Sequence, residues 1–247
     1  MSIESQADLD GLRRAGDVTR LTLDALEAHV RAGITTADLD AVAAGIFASH
    51  GARSAPTLVY GFPGHVLLSV NDEIVHGVPG PRQLKRGDLL KLDVTAECDG
   101  YVADAARTVI VGSGSDTATR MIGCVRAAFR AGAAVARAGV LVNEIGRAVD
   151  HEVRRHGFRV VRGLSGHGVG RTIHEEPRVP NEYDPRQADV LTEGLVLTIE
   201  PMITAGSSQP LEDADGWTIR TRDGSLSAHH EHTIMITRGD AVILTAA

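Results

Sequence analysis

GDLLKLDVTAECDGYVADAARTVIVG, residues 87–112, is the stretch that decides the fold. Apolar and polar residues alternate on both sides of Asp99-Gly100, a dipeptide that favours a tight turn, so the segment predicts two antiparallel strands in a hairpin. The two-residue period puts Leu90, Leu92 and Val94 on one face of the first strand and Leu89, Lys91, Asp93 and Thr95 on the other. The return strand carries Asp104. The midpoint between positions 93 and 104 falls beside the turn, so the two carboxylates are expected roughly opposite each other across the hairpin.

Upstream, Leu9, Leu12, Ala15, Val18, Leu23, Leu26 and Val30 recur mostly at three- and four-residue steps, which predicts a helix from Ala7 to about Ala32 with one buried face. Thr36 offers a hydroxyl N-cap to a second helix, ADLDAVAAGIFASH, and Gly51 stands where that helix should stop. Between Leu58 and Pro81, HVLLSVN and EIVHGVP read as strands broken by glycine and proline. Downstream the pattern starts again. Helices are expected from about Ser115 to Ala138 and from Val142 to about His156, followed by β segments near 158–162, 195–204, 217–222 and 226–237. Two helices followed by antiparallel strands, twice over, suggest an internal duplication. With no linker or compositional break between the halves, the expectation is one α+β domain over residues 1–247, its halves sharing a curved sheet with the helices on the outer face.

Composition narrows the function classes. The 247 residues are 43% apolar and 23% charged, the balance of a globular chain able to bury about three quarters of its unfolded surface. The net charge is −7 and no basic run or basic-aromatic stripe occurs, so nucleic acid is not expected as a specific partner. The N-terminal segment has no apolar core with a cleavage site, and no stretch reaches the length of a spanning helix, so the cytoplasm is the expected compartment and no membrane partner is expected. Cys98 and Cys124 have no metal-ligand or CxxC spacing and read as reduced packing residues.

An aspartate inside an apolar strand is unusual, because burying its charge is costly without a partner. Asp93 and Asp104 repel each other in a hairpin unless something positive lies between them, as a divalent cation would. Glu200 lies in the apolar run GLVLTIEPMI, Glu231 at the entry to another apolar strand in SAHHEHTIMIT, and His167 in the glycine-rich GHGVG. Four carboxylates and one imidazole form a ligand set for two divalent ions that leaves room for a bound hydroxide. Two such ions roughly 3.5 to 4 Å apart make a nucleophile at neutral pH and hold it against substrate. Oxygen-rich ligation with one imidazole suits Mn, Fe(II) or Co better than a thiolate-bound structural zinc.

Five ordered segments make the chain recognisable: SVNDEIVHGVP (69–79), the hairpin (87–112), LSGHGVGRTIHEEP (164–177), GLVLTIEPM (194–202) and WTIRTRDGSLSAHHEHTI (217–234). With them the chain resembles the type I methionine aminopeptidases of the pita-bread fold over about residues 8–240. The resemblance implies a pseudo-twofold antiparallel sheet and removal of the initiator methionine from nascent polypeptides by two divalent ions (Mn, Fe(II), Co or Zn). It implies that Asp93 binds one metal, that Asp104 and Glu231 bridge both, and that His167 and Glu200 complete the other shell, with Glu200 also the proton shuttle. His174 would stabilise the tetrahedral species and His76 would lie near the substrate amide. Tyr60, Phe62, Leu67, Ile173 and Trp217 would wall the methionine pocket. The substrates would be nascent chains beginning with Met, with ribosome association and a monomeric enzyme as further expectations. His229, His230 and His232 flank Glu231, yet the resemblance gives them no metal role, and they are expected at the surface or behind the ligands.

The chain also departs from the family pattern. LVYGFPGHVLLSVN is one residue shorter, with Gly64-His65 where Lys-Ser is common, Leu67 where cysteine is frequent and Ile173 where an aromatic is frequent. Lys91 takes the position of an asparagine near a monovalent cation, so its ammonium is expected to replace that ion. Ala105-Ala106 follow Asp104 in place of a hydroxyl pair, which would loosen support for the ligands. His174 and Glu200 are 26 positions apart, too few for the helical insertion of type II enzymes. Two other readings compete. An Xaa-Pro peptidase of the same fold usually carries a further N-terminal domain for which this chain is too short. A non-catalytic binding module of that fold typically loses ligands, and all five are present.

Overall fold

The computed structural model describes residues 1–246. Its first half opens with α1 (Gln6–His29) and α2 (Thr36–His50), then β1 (Arg53–Ser54), a short α3 (Ala55–Tyr60), β2 (Leu67–Val70), β3 (Glu73–Val75) and the long hairpin β4 (Leu89–Cys98) and β5 (Tyr101–Ile110). The second half opens with α4 (Asp116–Val135) and α5 (Asn143–Arg155), followed by β6 (Arg159–Val160), β7 (Ser165–Gly168), β8 (Glu175–Pro180), β9 (Val196–Ile199) and β10 (Met202–Thr204). It ends with β11 (Pro210–Glu212), β12 (Ile219–Thr221), β13 (Ser227–His229), β14 (Glu231–Met235) and β15 (Val242–Ile243).

The main sheet runs in the order β1-β4-β5-β14-β9-β7-β8, and every pairing in it is antiparallel. β5 and β14 meet at its centre, where Glu231 faces Ala106 and His232 faces Ala105. Each half thus contributes a central pair of strands, β4-β5 on one side and β14-β9 on the other, and the expected duplication is visible in the strand order. Each helix pair covers its own half. Leu90, Leu92 and Val94 of β4 pack with Ala15, Leu23 and Leu26 of α1 and Phe47 of α2 in one apolar cluster. Leu197 and Ile199 of β9 and Ile234 of β14 pack with Met121 and Phe129 of α4 and Val149 of α5 in a second. Each fully buried leucine, isoleucine, valine, methionine or phenylalanine among them stabilises the fold by about 1.5–3 kcal/mol relative to exposure.

Helix ends follow local chemistry. Thr35, rather than Thr36, is the N-cap of α2: its hydroxyl accepts from Asp38 N–H while the Asp38 carboxylate accepts from Thr35 N–H, a reciprocal capping box. Thr36 instead bonds Gly80, its hydroxyl donating to the carbonyl and accepting from the N–H. Gly51 ends α2 in the left-handed conformation at φ 65°, as expected for glycine. The strand-and-loop expectation from Leu58 onward needs correction, because α3 extends to Tyr60, started by the Ser54 side chain and Pro56 in its first turn.

The hairpin register also corrects the expectation for the aspartates. The turn centres between Asp99 and Gly100, so Asp93 pairs with Ala106 and Asp104 pairs with Thr95. The carboxylates are diagonal neighbours on one face, opposite the face that packs on α1 and α2. Among the described residues no helix is long and apolar enough to cross a membrane.

Candidate metal centre

The helix-free face of the sheet holds the chemistry. Asp93 and Asp104 come from the hairpin, Glu231 from the start of β14, Glu200 from the residue after β9, and His167 from β7. All five line one cavity of about 430 Å³. Ligand atoms of Asp104, His167 and Glu231 lie within 4.8 Å of one another, as do those of Asp93, His229 and Glu231. Glu231 belongs to both groups.

Hydrogen bonds hold the set in place. The Thr198 hydroxyl accepts from His167 N–H at 3.1 Å and donates to Glu200 Oε1 at 2.9 Å. His167 Nδ1 meets the Gly168 carbonyl at 2.9 Å, which leaves Nε2 facing Glu200 Oε1 at 3.3 Å. Asp104 is fixed through its backbone, its N–H donating to Thr233 Oγ1 and its carbonyl accepting from that hydroxyl, both at 2.8 Å.

Electrostatically the set is incomplete as protein alone. Burial, reinforced by Asp104, pushes the Asp93 and Glu200 carboxyls well above the carboxylate range, and the same causes together with Glu200 act on Glu231. Burial raises Asp104 to about 7. Burial likewise drives His167 down to about 3, so it is a neutral imidazole with a free lone pair. Among the described residues no lysine or arginine pairs with the four carboxylates, and Asp104 Oδ1 and Glu231 Oε1 are buried without any partner. Buried acceptors without donors, beside a neutral imidazole, are the donor set of a divalent cation site. The residues fit a metal.

The remaining predicted residues converge on the same cavity. His76, His174, Tyr60, Phe62, Leu67, Ile173 and Trp217 all line it. His174 stacks edge-on to His167 with ring centroids 4.3 Å apart, and its Nδ1 lies 2.5 Å from the Tyr60 hydroxyl. His76 adopts φ 61°, a left-handed conformation that a histidine takes at some cost, and burial lowers its imidazole to about 4. Phe62 meets Trp217 edge-to-face at 5.2 Å. Leu67 and Ile173 are buried, whereas Tyr60 is 48% exposed at the cavity mouth.

Lys91 lies beside this site without facing it. Its ammonium is fully buried and donates to the carbonyls of Asn71 at 2.8 Å and Ser227 at 3.3 Å. The Lys91 side chain therefore ties the loop before β3 to the strand that leads into Glu231.

Sequence reasoning missed two kinds of residue. Thr198 was legible, since alternation places it on the same face as Glu200. Met202 and Arg178 also line the cavity, and nothing in their local pattern signals it. His229 was expected at the surface or behind the ligands, and it takes the second place, 1% exposed with Nε2 3.7 Å from the carboxylates of Glu200 and Glu231. His230 and His232 instead pack against Phe129 of α4, away from the carboxylates.

Comparison with known proteins agrees with this geometry. Residues 10–238 match metallopeptidase family M24. Methionine aminopeptidase 2 of Bacillus subtilis is 39% identical over 247 residues, which cover 99% of each chain. The crystal structure of methionine aminopeptidase from Rickettsia prowazekii superposes with a TM-score of 0.95 at 36% identity, covering both chains fully. That of the Thermotoga maritima methionine aminopeptidase gives 0.96 at 33% identity, again over the full length of both.

Proposed function

The chain belongs to metallopeptidase family M24, and from that premise we propose that it is a type I methionine aminopeptidase that works with two divalent ions. Its substrates are peptides with N-terminal methionine, and it hydrolyses the first peptide bond. We take residues 1–247 as one catalytic domain, acting as a monomer in the cytoplasm on nascent chains near the ribosome. The observation that carries the dinuclear reading is the position of Glu231, which lies near Asp93 and His229 on one side and near Asp104 and His167 on the other.

In this reading Asp93 would hold one ion, His167 and Glu200 the other, and Asp104 and Glu231 would be shared. When bound, Mn, Fe(II), Co or Zn would supply Lewis acidity, bringing the pKa of water into the neutral range and polarising the scissile carbonyl. Glu200 would also carry the proton, its Oε1 held in orientation by the Thr198 hydroxyl. His174 contributes a directed donor. With the Tyr60 hydroxyl donating to Nδ1, the imidazole proton would sit on Nε2, available to oxygen charge that develops on the substrate. His76 would contact the substrate amide. Phe62, Leu67, Ile173 and Trp217, with Tyr60 at the mouth, would surround the methionine side chain and exclude water from it.

The test is hydrolysis of a Met-Gly-containing peptide by metal-free protein resupplied with Mn, Fe(II), Co or Zn in turn, beside an Xaa-Pro peptide. Metal-dependent release of methionine, with the Xaa-Pro peptide untouched, is expected. Preferential cleavage of the Xaa-Pro peptide would overturn the substrate assignment, and turnover without any added metal would overturn the metal assignment.

A further inference from the structure

His229 ends β13 two residues before Glu231 and sends its ring to the same face of the sheet. Its backbone is clamped by Thr108, whose hydroxyl accepts from His229 N–H at 2.8 Å and donates to the His229 carbonyl at 2.6 Å. The ring itself is 1% exposed. Nε2 lies 3.7 Å from Oε2 of Glu200 and 3.7 Å from Oε2 of Glu231, and neither ring nitrogen has a partner among the described residues. A buried imidazole in that condition costs free energy, and native interiors rarely leave such a group unsatisfied.

Two chemistries could satisfy it: ligation of a cation, or donation to the carboxylates that hold one. Comparison with His167 separates them. A ligating histidine directs its second ring nitrogen at an acceptor that fixes the tautomer. His167 does so through Nδ1 and the Gly168 carbonyl. His229 has no acceptor at Nδ1, so placing the proton there would bury an N–H facing nothing. With the proton on Nε2, the donor points between two carboxylate oxygens, at a distance that a small torsion of either carboxylate closes.

We propose that His229 is a positioning residue whose Nε2–H donates to the Oε2 atoms of Glu200 and Glu231, fixing which oxygens of the two carboxylates are turned toward the cations. The inference rests on the metal-centre reading above. It assigns a task to the first histidine of SAHHEHTI, and it also offers compensation for Ala105-Ala106, which bring no hydroxyl to the neighbouring strand.

The experiment is calorimetric titration of metal-free protein with Mn(II), for the native chain, His229→Leu and His229→Gln, together with pulsed EPR of the Mn(II)-loaded native protein. Leucine fills the site without a donor, and Mn(II) affinity should fall about 10- to 100-fold. Glutamine restores an N–H at similar reach, and affinity should return to within a few-fold of native. EPR should detect a single class of coordinated imidazole, retained in His229→Gln. Unchanged Mn(II) affinity in His229→Leu would overturn the proposal, as would a coordinated imidazole signal that disappears in His229→Gln, which would make His229 a ligand. Absence of Mn(II) binding by the native protein would instead sink the metal-centre reading, and this inference with it.

Discussion

His167 and Glu200 are joined through one hydroxyl: Thr198 accepts from the histidine backbone N–H and donates to Glu200 Oε1, and the imidazole Nε2 stands 3.3 Å from that same oxygen. Strand β9 and strand β7 are thereby locked at the point where both present a ligand. The hydroxyl is fully buried, so its loss cannot be made good by solvent. Thr198→Val keeps the shape and removes both bonds, and it should weaken metal binding about 10- to 100-fold. Calorimetric titration measures this directly, and a native-like affinity would show that the hydroxyl link is dispensable.

Asp104 and Glu231 are the carboxylates assigned to both ions, and their removal should act differently from removal of a terminal ligand. Asp104→Asn and Glu231→Gln should each abolish binding of the metal pair and all peptidase activity. In the metal-free protein the same changes should raise the melting temperature at pH 8, because each removes one of four buried carboxyls whose ionisation the others oppose. Thermal melts with and without metal check both halves of the statement. A variant that melted lower than native protein without metal would contradict the repulsion argument.

Those repelling charges also set a pH dependence. Folded-state carboxyl pKa values raised above their unfolded values mean that the folded chain binds more protons, so the metal-free protein loses stability as pH rises through the folded values. Asp104 has moved to about 7, and Asp93, Glu200 and Glu231 are raised well above the ordinary range. His76, His167 and His229 are lowered to about 4, 3 and 3, so their contribution is gained with rising pH and is complete once the unfolded value of about 6.5 is passed. Lys91, lowered by burial to about 7, also gains stability with rising pH above that value, but it does so with or without metal. The difference in melting temperature between metal-loaded and metal-free protein should therefore widen from pH 6.5 to 8.5. A constant difference across that range would mean the carboxylates are already ionised and compensated without metal.

The arrangement tested by these experiments was only partly readable beforehand, for reasons that lie in particular residues. Alternation around Asp99-Gly100 was enough to predict the hairpin, because an apolar face against the helices and a polar face repeat every two residues even though β4 is buried on both sides. Its register was not, since Asp93 and Asp104 pair with Ala106 and Thr95 only once the turn is centred one position later than their midpoint. The convergence of residues as distant as Asp93 and Glu231 became legible through five ordered motifs, not through periodicity, because no local pattern encodes which strands meet. β7 and β8 escaped notice because SGHG and EEPRVP lack the apolar alternation of a half-buried strand. For His229 the surface and the space behind the ligands both stood open, and the period of two decides between them, putting residues 229 and 231 on one face and sending 230 and 232 to the helices.

His174 should separate rate from metal binding. It belongs to neither ligand group, and its ring is held by the Tyr60 hydroxyl and by stacking on His167. His174→Ala should bind metal like the native protein while kcat falls about 10²- to 10³-fold, the scale for loss of one donor to developing oxyanion charge. Tyr60→Phe should give a smaller loss of kcat, since the ring remains and only its tautomer is freed. Near-normal turnover by His174→Ala would show that the imidazole contacts no reacting atom.

Side-chain selectivity should reside in the apolar walls. Phe62 is 2% exposed and braced edge-to-face by Trp217, while Leu67 and Ile173, both buried, close the cavity. A pocket of this kind discriminates by about 1–3 kcal/mol for each methylene gained or lost, or roughly 10- to 200-fold. Phe62→Ala removes a wall that touches substrate equally before and during reaction, so KM for Met-Gly peptides should rise by at least about tenfold while kcat changes little. Ile173→Phe should narrow the cavity and lower kcat/KM for methionine more than for a smaller N-terminal residue such as alanine. Steady-state kinetics on paired Met-Gly and Ala-Gly peptides would decide it. Unaltered KM in Phe62→Ala would place the methionine side chain against a different wall of the cavity.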